Sequence, residues 1–488
     1  MNIYFSDFFG IESSTLLEYG ALDITLVRDL PLFIDPFLIF ANESDEYQTL
    51  HDEMLQYIAF LKQKSEERNL SDNEVVAWYK FSEVKQNWLG YSKIGNSGRG
   101  LGKKFGRTMA DNMHVVFDDL GNEIITKSSH IEKATLFGLG VGRDSISDFC
   151  TNLIKSFLLE YTQRFALENI SDDLCRKFKV EKVYFDYKFD RWMPKTYTLP
   201  VWGDEYVLLT PKEILTKDKT WINSSDLRDD FYDICNSVGN ETLRAEINSY
   251  IQQNMPIPKD GKNVSKTEEY KVIASAIRRF PEVIKWYVKS KEENVVGAKN
   301  LSQQNVDEIE GLFISSIKSI VKGLKETTGF YGEERGSYER SIERANCLKH
   351  YIEDRDGWRS FYHNDKPIKR ESDLQMMFDL TWSASSFDVN KETNNGRGPS
   401  DFVVSKGSKD KTTIEIKLAS SSSLRDNLAK QAEIYMQANG SSNCVKIIMY
   451  FNESEYKRLY KVLNELDLHN TESVILIDAS PKISASKA

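Results

Sequence analysis

The sequence predicts an α/β protein in three parts: a mixed α/β N-terminal domain (1–225), a helical middle region (226–345) and a C-terminal α/β domain (346–488) built on a central mixed sheet. Three observations carry that prediction. Apolar runs of strand length, rich in β-branched and aromatic residues, recur in the first and last parts. Between them the composition turns to charged helix formers with apolar residues at helical spacing. The chain of 488 residues is 40% hydrophobic and 12% aromatic, enough for more than one core and too apolar for general disorder.

In the first part, LDITLV (22–27) and PLFIDPFLIF (31–40) read as strands. A helix is expected over 47–64, where Leu50, Met54, Leu55, Ile58 and Leu61 recur on one side. DSISDFCTNLIKSFLLEYTQRFALENI (144–170) reads as one long helix with Asp and Ser near its start to cap it. KVYFDYKF and EYVLLT read as strands. The middle part carries two amphipathic stretches, 270–293 and 306–327, with 253–269 as an exposed loop.

The last part is expected to run helix (371–384), possible strand, hairpin, helix (424–438), strand (444–451), helix, strand (SVILIDA). ETNNGRGPS (392–400) is a turn-rich approach to the hairpin, whose strands DFVVS and TTIEIKL flank a GSKD turn. Side chains alternate faces along a strand, so Ile414, Ile416 and Leu418 share one face and Glu415 and Lys417 the other. Asp401 begins the neighbouring strand. Two carboxylates and an ammonium are therefore expected to converge at one end of a sheet. Hard divalent cations take oxygen ligands, and Mg²⁺ is commonly held by one or two carboxylates together with substrate phosphate oxygens. A lysine beside such a cation supplies a point charge for the anion that develops on phosphorus. These are the parts needed for phosphodiester hydrolysis.

Pro399-Ser400-Asp401 followed by Glu415-Ile416-Lys417 resembles the signature of the PD-(D/E)XK nuclease superfamily, with Ser400 intervening between the proline and the acid. The resemblance spans about Asp356–Ser480, a quarter of the chain. It implies a restriction-endonuclease-like core and cleavage of nucleic acid that depends on Mg²⁺ or Mn²⁺. It makes Asp401 and Glu415 the metal ligands and Lys417 the catalytic lysine. Members add a glutamate from the preceding helix, for which Glu371 is the candidate, with Asp373, Gln375 and Glu392 as rivals. Some carry a glutamine in the following helix, which Gln431 matches.

Charge and motifs bound the rest. The formal net charge is −10, so no overall basic footprint marks a nucleic-acid binder, yet from Arg359 onward 18 Lys+Arg face 17 Asp+Glu while the remainder holds 46 against 57. The five cysteines form no CxxC and read as reduced thiols of a cytosolic protein. Cys347 and His350 lie one helical turn apart without a second ligand pair, which favours helix packing over zinc. No apolar run is long enough to span a bilayer and the N-terminus lacks a basic leader, so a cytoplasmic protein without membrane contact is expected. GNSGRGLGKKFGR (95–107) fails the phosphate-loop pattern, since Lys104 stands where Ser or Thr is needed. Lys93, Arg99, Lys103, Lys104 and Arg107, with Arg397, are the candidate backbone contacts to nucleic acid, although an ordinary surface loop is the simpler reading of 95–107. GLGVGRD (138–144) reads as a tight turn, and Asp35 as a turn or cap residue.

The N-terminal half loosely resembles uncharacterised bacterial proteins found with defence genes. The expectation is thus a metal-dependent endodeoxyribonuclease of a restriction-like or anti-phage system, acting on DNA ahead of RNA. A second copy of the chain and a defence-system protein are candidate partners. The alternative is a nuclease-like module that binds nucleic acid or protein without cutting.

Overall fold

The computed structural model describes residues 4–67, 69–90, 101–137, 141–256, 264–320, 336–355, 357–363, 366–367, 370–382, 385, 387–394, 399–407, 410–431, 441, 443–469 and 471–482. The chain forms two compact units. One comprises Phe8–Ser92 and Asn96–Val306, the other Met1–Asp7, Lys93–Gly95 and Asp307–Ala488. The stretch read from sequence as a helical middle region, 226–345, is thus divided between them at 306/307. Among the described residues no helix is long and apolar enough to cross a membrane.

The larger unit is mostly helical. Its long helix covers Asp45–Glu67, against the expected 47–64. Four expectations here are corrected. Residues 22–27 form no extended strand, because the Thr25 hydroxyl accepts from Val27 N (3.2 Å) and Arg28 N (3.1 Å) and bends the chain locally. In 31–40 only Phe33–Ile34 is extended, and Pro36–Ala41 is helical. Pro36 sits in its first turn, where its missing N–H costs nothing, and Asp35 caps it by accepting from Phe37 N. The single helix expected over 144–170 is two, Arg143–Leu153 and Lys155–Asn169. Likewise 270–293 divides into Lys266–Arg279 and Glu282–Glu293, since Pro281 cannot continue the helix before it. A strand missed from sequence, Arg191–Trp202, pairs antiparallel with Cys175–Asp186. It contains two prolines, and over most of its length it has a partner on one side only, where proline is tolerated.

The smaller unit is a mixed α/β arrangement around five strands: β1 (Asp388–Asn394), β2 (Pro399–Lys406), β3 (Asp410–Leu418), β4 (Asn443–Tyr450) and β5 (Val474–Asp478), adjacent in that order. Strand β2 pairs antiparallel with both β1 and β3, and β4 pairs parallel with both β3 and β5. Gly407, at φ 74°, takes the left-handed conformation that closes the β2–β3 hairpin without a side-chain clash. The described helices are α1 (Ser337–Asp354), α2 (Glu371–Leu380) and α3 (Glu453–Glu465). The segment expected as a helix over 424–438 is helical at Leu424–Asp426 and widens to a π-type turn over Asn427–Gln431.

Register fixes what each face of this sheet carries. Ile414, Ile416 and Leu418 stand beside Val445, Ile447 and Met449, all 2% exposed or less, and α1 packs on that side. Ser337 at the start of α1 bonds Thr412 on the same face (2.7 Å) and caps against Asp410 (2.9 Å). The opposite face carries Thr413, Glu415 and Lys417. Toward its far end, Ile448, paired with Lys417, is covered by Leu459 and Leu463 of α3 and by Leu424 and Leu428. Between these apolar patches lies a polar band in the middle of an otherwise buried sheet.

Candidate active site

That polar band holds the residues the sequence singled out. Asp401 lies on β2, Glu415 and Lys417 are two apart on β3, and Glu371 opens α2. The Lys417 ammonium stands 3.0 Å from Asp401 Oδ2, 3.5 Å from Glu371 Oε2 and 3.6 Å from Glu415 Oε2. Glu371 joins the cluster from the start of α2, with a further long contact from Leu418 N to its Oε1 (3.4 Å). Of its rivals, Asp373 is buried on α2, Gln375 reaches the site differently, and the Glu392 side chain lies outside the described residues. The side chain of Gln431 also lies outside them.

Charge balance governs the cluster. Three carboxylates surround one ammonium, so the set carries an excess of negative charge if all ionise. Burial, and after it the Asp401 carboxylate, push the Glu415 carboxyl up to about 8 against the pull of Lys417. At neutral pH Glu415 holds its proton in the absence of a further cation. Burial alone would lower Lys417, but Asp401, Glu415 and Glu371 outweigh it and hold the ammonium at about 12. Asp401 is locked in place. Its Oδ2 accepts from Ile416 N (2.6 Å) as well as from Lys417, and its Oδ1 from Gln375 Nε2 (2.9 Å). Glu415 Oε1 is buried and, among the described residues, meets no hydrogen-bond donor. The cluster is open on the Glu371 side, where that side chain is 31% exposed against 6% for Glu415.

The donor set was tested against the divalent cation that the resemblance implies. Among the described residues no group of three or more His, Cys, Asp or Glu side chains is arranged to hold a metal alone. Mg²⁺ does not need such a group, since it keeps waters and takes phosphate oxygens beside one or two carboxylates. The orphaned Oε1 of Glu415, next to Asp401 and in surplus negative charge, is the oxygen chemistry that such an ion binds. The residues fit the group.

The described basic-loop candidates belong to the other unit. Lys103 and Lys104 form the first turn of a helix, Lys103–Val116, in the larger unit. Lys103 pairs with Asp72 (2.6 Å), as does Arg107 (2.6 Å), and Lys104 is exposed. Lys93, Arg99 and Arg397 lie outside the described residues. His350 is exposed and pairs with Asp354 (2.6 Å).

Two residues at the site had no assigned role from sequence. Gln375 was weighed only as a substitute for Glu371; four residues further along α2, it binds Asp401 instead. Lys446 went unremarked inside CVKIIMYF. A lysine interrupting seven apolar or sulfur-bearing residues was the available signal, and register places it beside Glu415.

Comparison with known proteins adds families without roles. Residues 10–223 match a family described as Domain of unknown function (DUF8370), and residues 337–453 one described as Domain of unknown function (DUF8371). The second match contains Glu371, Gln375, Asp401, Glu415, Lys417 and Lys446. No curated protein and no solved structure matches the chain.

Proposed function

We propose that the smaller unit is a Mg²⁺-dependent nuclease of PD-(D/E)XK type that hydrolyses phosphodiester bonds, with DNA the preferred substrate and a bacterial anti-phage or restriction-like system the setting. One observation carries the reading: Asp401, Glu415, Lys417 and Glu371 converge from two adjacent strands and the preceding helix, within 3.0–3.6 Å of one ammonium. The order helix, antiparallel strands, then parallel strand supports the corresponding fold.

In this reading Asp401 and Glu415 hold the cation. When bound, it polarises the phosphoryl group and lowers the pKa of a water. The chain's own residues do the rest. Gln375 and Ile416 N fix the Asp401 carboxylate. Glu415 would offer its oxygens to the cation beside Asp401. The Lys417 ammonium, kept charged by its neighbours, is placed to stabilise the anion on phosphorus. Glu371 tethers that ammonium from the open side.

The test is cleavage of plasmid, single-stranded DNA and RNA by the full chain with Mg²⁺, with Mn²⁺ and with EDTA. Metal-dependent cutting that Lys417→Ala abolishes is the expected result. Cutting that is unchanged in Lys417→Ala removes the site assignment, and no cutting of any substrate removes the hydrolase.

A further inference from the structure

We propose that Lys446 is the residue that anchors a nucleic-acid phosphate at this site; the proposal rests on the nuclease reading above and adds to it a substrate contact. Lys446 is the direct β4 partner of Glu415 in the parallel β3–β4 pair, so its side chain lies on the same face of the sheet as Glu415 and Lys417. It is 9% exposed. Among the described residues its ammonium has no carboxylate and no hydrogen-bond acceptor as a partner.

Three other deeply placed lysines are given carboxyl groups: Lys133 meets Asp119 at 3.1 Å, Lys291 meets Asp226 at 2.6 Å, and Lys417 meets Asp401 at 3.0 Å. An unpaired charge in a nine-tenths buried strand position weakens the fold, and a methionine or leucine there would fit CVKIIMYF better. The cost is offset when an anion completes the pair.

The neighbouring charges say which anion. Lys417 cannot be the first contact for a phosphodiester, because three acidic side chains already surround its ammonium at 3.0–3.6 Å. Without another cation the band around it repels a phosphate. Lys446 supplies a positive charge on the same face that no carboxylate among the described residues pairs with. Its influence on the cluster is felt at Cys444, one side chain along the same face, whose thiol burial pushes up to about 12, with Lys446 opposing and Glu415 and Asp401 adding to the rise. A phosphodiester held at Lys446 lies beside Glu415, one strand from Lys417.

The experiment measures binding of a fluorescent duplex DNA oligonucleotide to the full chain in EDTA, across a salt series, for wild type, Lys446→Met and Lys446→Arg, with thermal unfolding of each. Lys446→Met is expected to bind about tenfold more weakly and to lose about one unit of salt slope. It should also melt at a higher temperature, since it removes an unpaired buried charge; Lys446→Arg should bind like wild type. A role confined to packing predicts the reverse, with affinity and slope unchanged. Lys446→Met binding within about twofold of wild type with the same slope overturns the proposal, even if Mg²⁺-dependent cleavage proceeds and the nuclease reading stands. Weakened binding in Lys446→Met by a wild type that never cuts upholds the phosphate anchor and removes the hydrolase. Wild type without measurable affinity for duplex DNA overturns the anchor, whatever it does to RNA.

Discussion

Each unit buries a group of carboxylates, and the two groups are built on opposite principles. In the smaller unit Asp401, Glu415 and Glu371 share one lysine, one oxygen is orphaned, and one side lies open to solvent. In the larger unit Asp35, Glu132 and Glu292 are sealed. Both Asp35 oxygens accept backbone N–H groups, from Phe37 (3.1 Å) and Trp221 (2.7 Å). Glu292 accepts from Lys127 N (2.7 Å), Ser128 N (3.1 Å) and the His130 ring (2.8 Å), with both side chains of that last pair 1% exposed. Glu132 faces Asp35, and burial and that neighbour push its carboxyl well up; among the described residues neither of its oxygens meets a well-placed donor. Buried acids alone therefore do not mark a reactive centre. What separates the two groups is their surroundings: Asp35 and Glu292 point at the chain's own amides, whereas the smaller unit's acids face one ammonium and an open side.

The same substitution made in both groups gives the largest contrast. Glu415→Gln removes a charge on which the proposed chemistry depends and is expected to lower metal-dependent cleavage by about 10²–10³. Glu132→Gln keeps a hydrogen bond to Asp35 and should leave cleavage per folded molecule unchanged. Plasmid nicking rates, normalised to folded protein, check both. A comparable loss in Glu132→Gln would break the distinction.

Next in size is the removal of the Glu292 side chain. Glu292→Ala strands two backbone N–H groups and a buried imidazole that the carboxylate now binds, so a loss of at least about 3 kcal/mol is expected for the larger unit. Urea unfolding reads it. A variant as stable as wild type would mean that water replaces the carboxylate and that the group is not sealed.

The pH dependence of stability sharpens the contrast further. Burial raises the Asp35 carboxyl to about 6, above its value in an unfolded chain. An acid whose folded pKa is raised adds stability that is fully present below the unfolded value and lost as pH climbs through the folded one. The larger unit should therefore lose about 2–3 kcal/mol between about pH 4 and pH 7 from this group. Glu132→Gln should flatten that slope, because its amide donates to Asp35 at every pH. Thermal unfolding of both proteins from pH 5 to 8 decides it, and parallel curves would refute the shared proton.

How much of this was legible beforehand differs between the units for a physical reason. In the smaller one, strict alternation along TTIEIKL told which side chains face together, and a short hairpin leaves few ways to pair the strands. Asp401, Glu415 and Lys417 were consequently brought together on paper. Lys446 was not, because a parallel neighbour arrives through a long connection and its register cannot be read from either strand alone. In the larger unit the polar core joins residues far apart in sequence, such as His130 and Glu292. Periodicity carries no information about such pairs. The misread segments failed locally: a proline and its capping aspartate turned a strand-like run into helix at 36–41, and a threonine hydroxyl bent 22–27.

The smallest effect probes how finely the open group is arranged. Gln375 donates to Asp401 Oδ1 at 2.9 Å and touches neither Lys417 nor Glu415 by hydrogen bond. Its Nε2 leaves Oδ2 as the oxygen that meets Ile416 N and Lys417, so it sets the tilt of the Asp401 carboxylate rather than the charge of the site. Gln375→Ala should cost about 1 kcal/mol, the net worth of one such bond, and lower cleavage by about fivefold. Gln375→Glu should do more harm than Gln375→Ala, since it sets a like charge against Asp401 where the amide now donates. That ordering separates positioning from packing. If glutamate, the closer match in shape, cleaves as well as glutamine, the amide contributes only volume and Asp401 is held by the backbone alone.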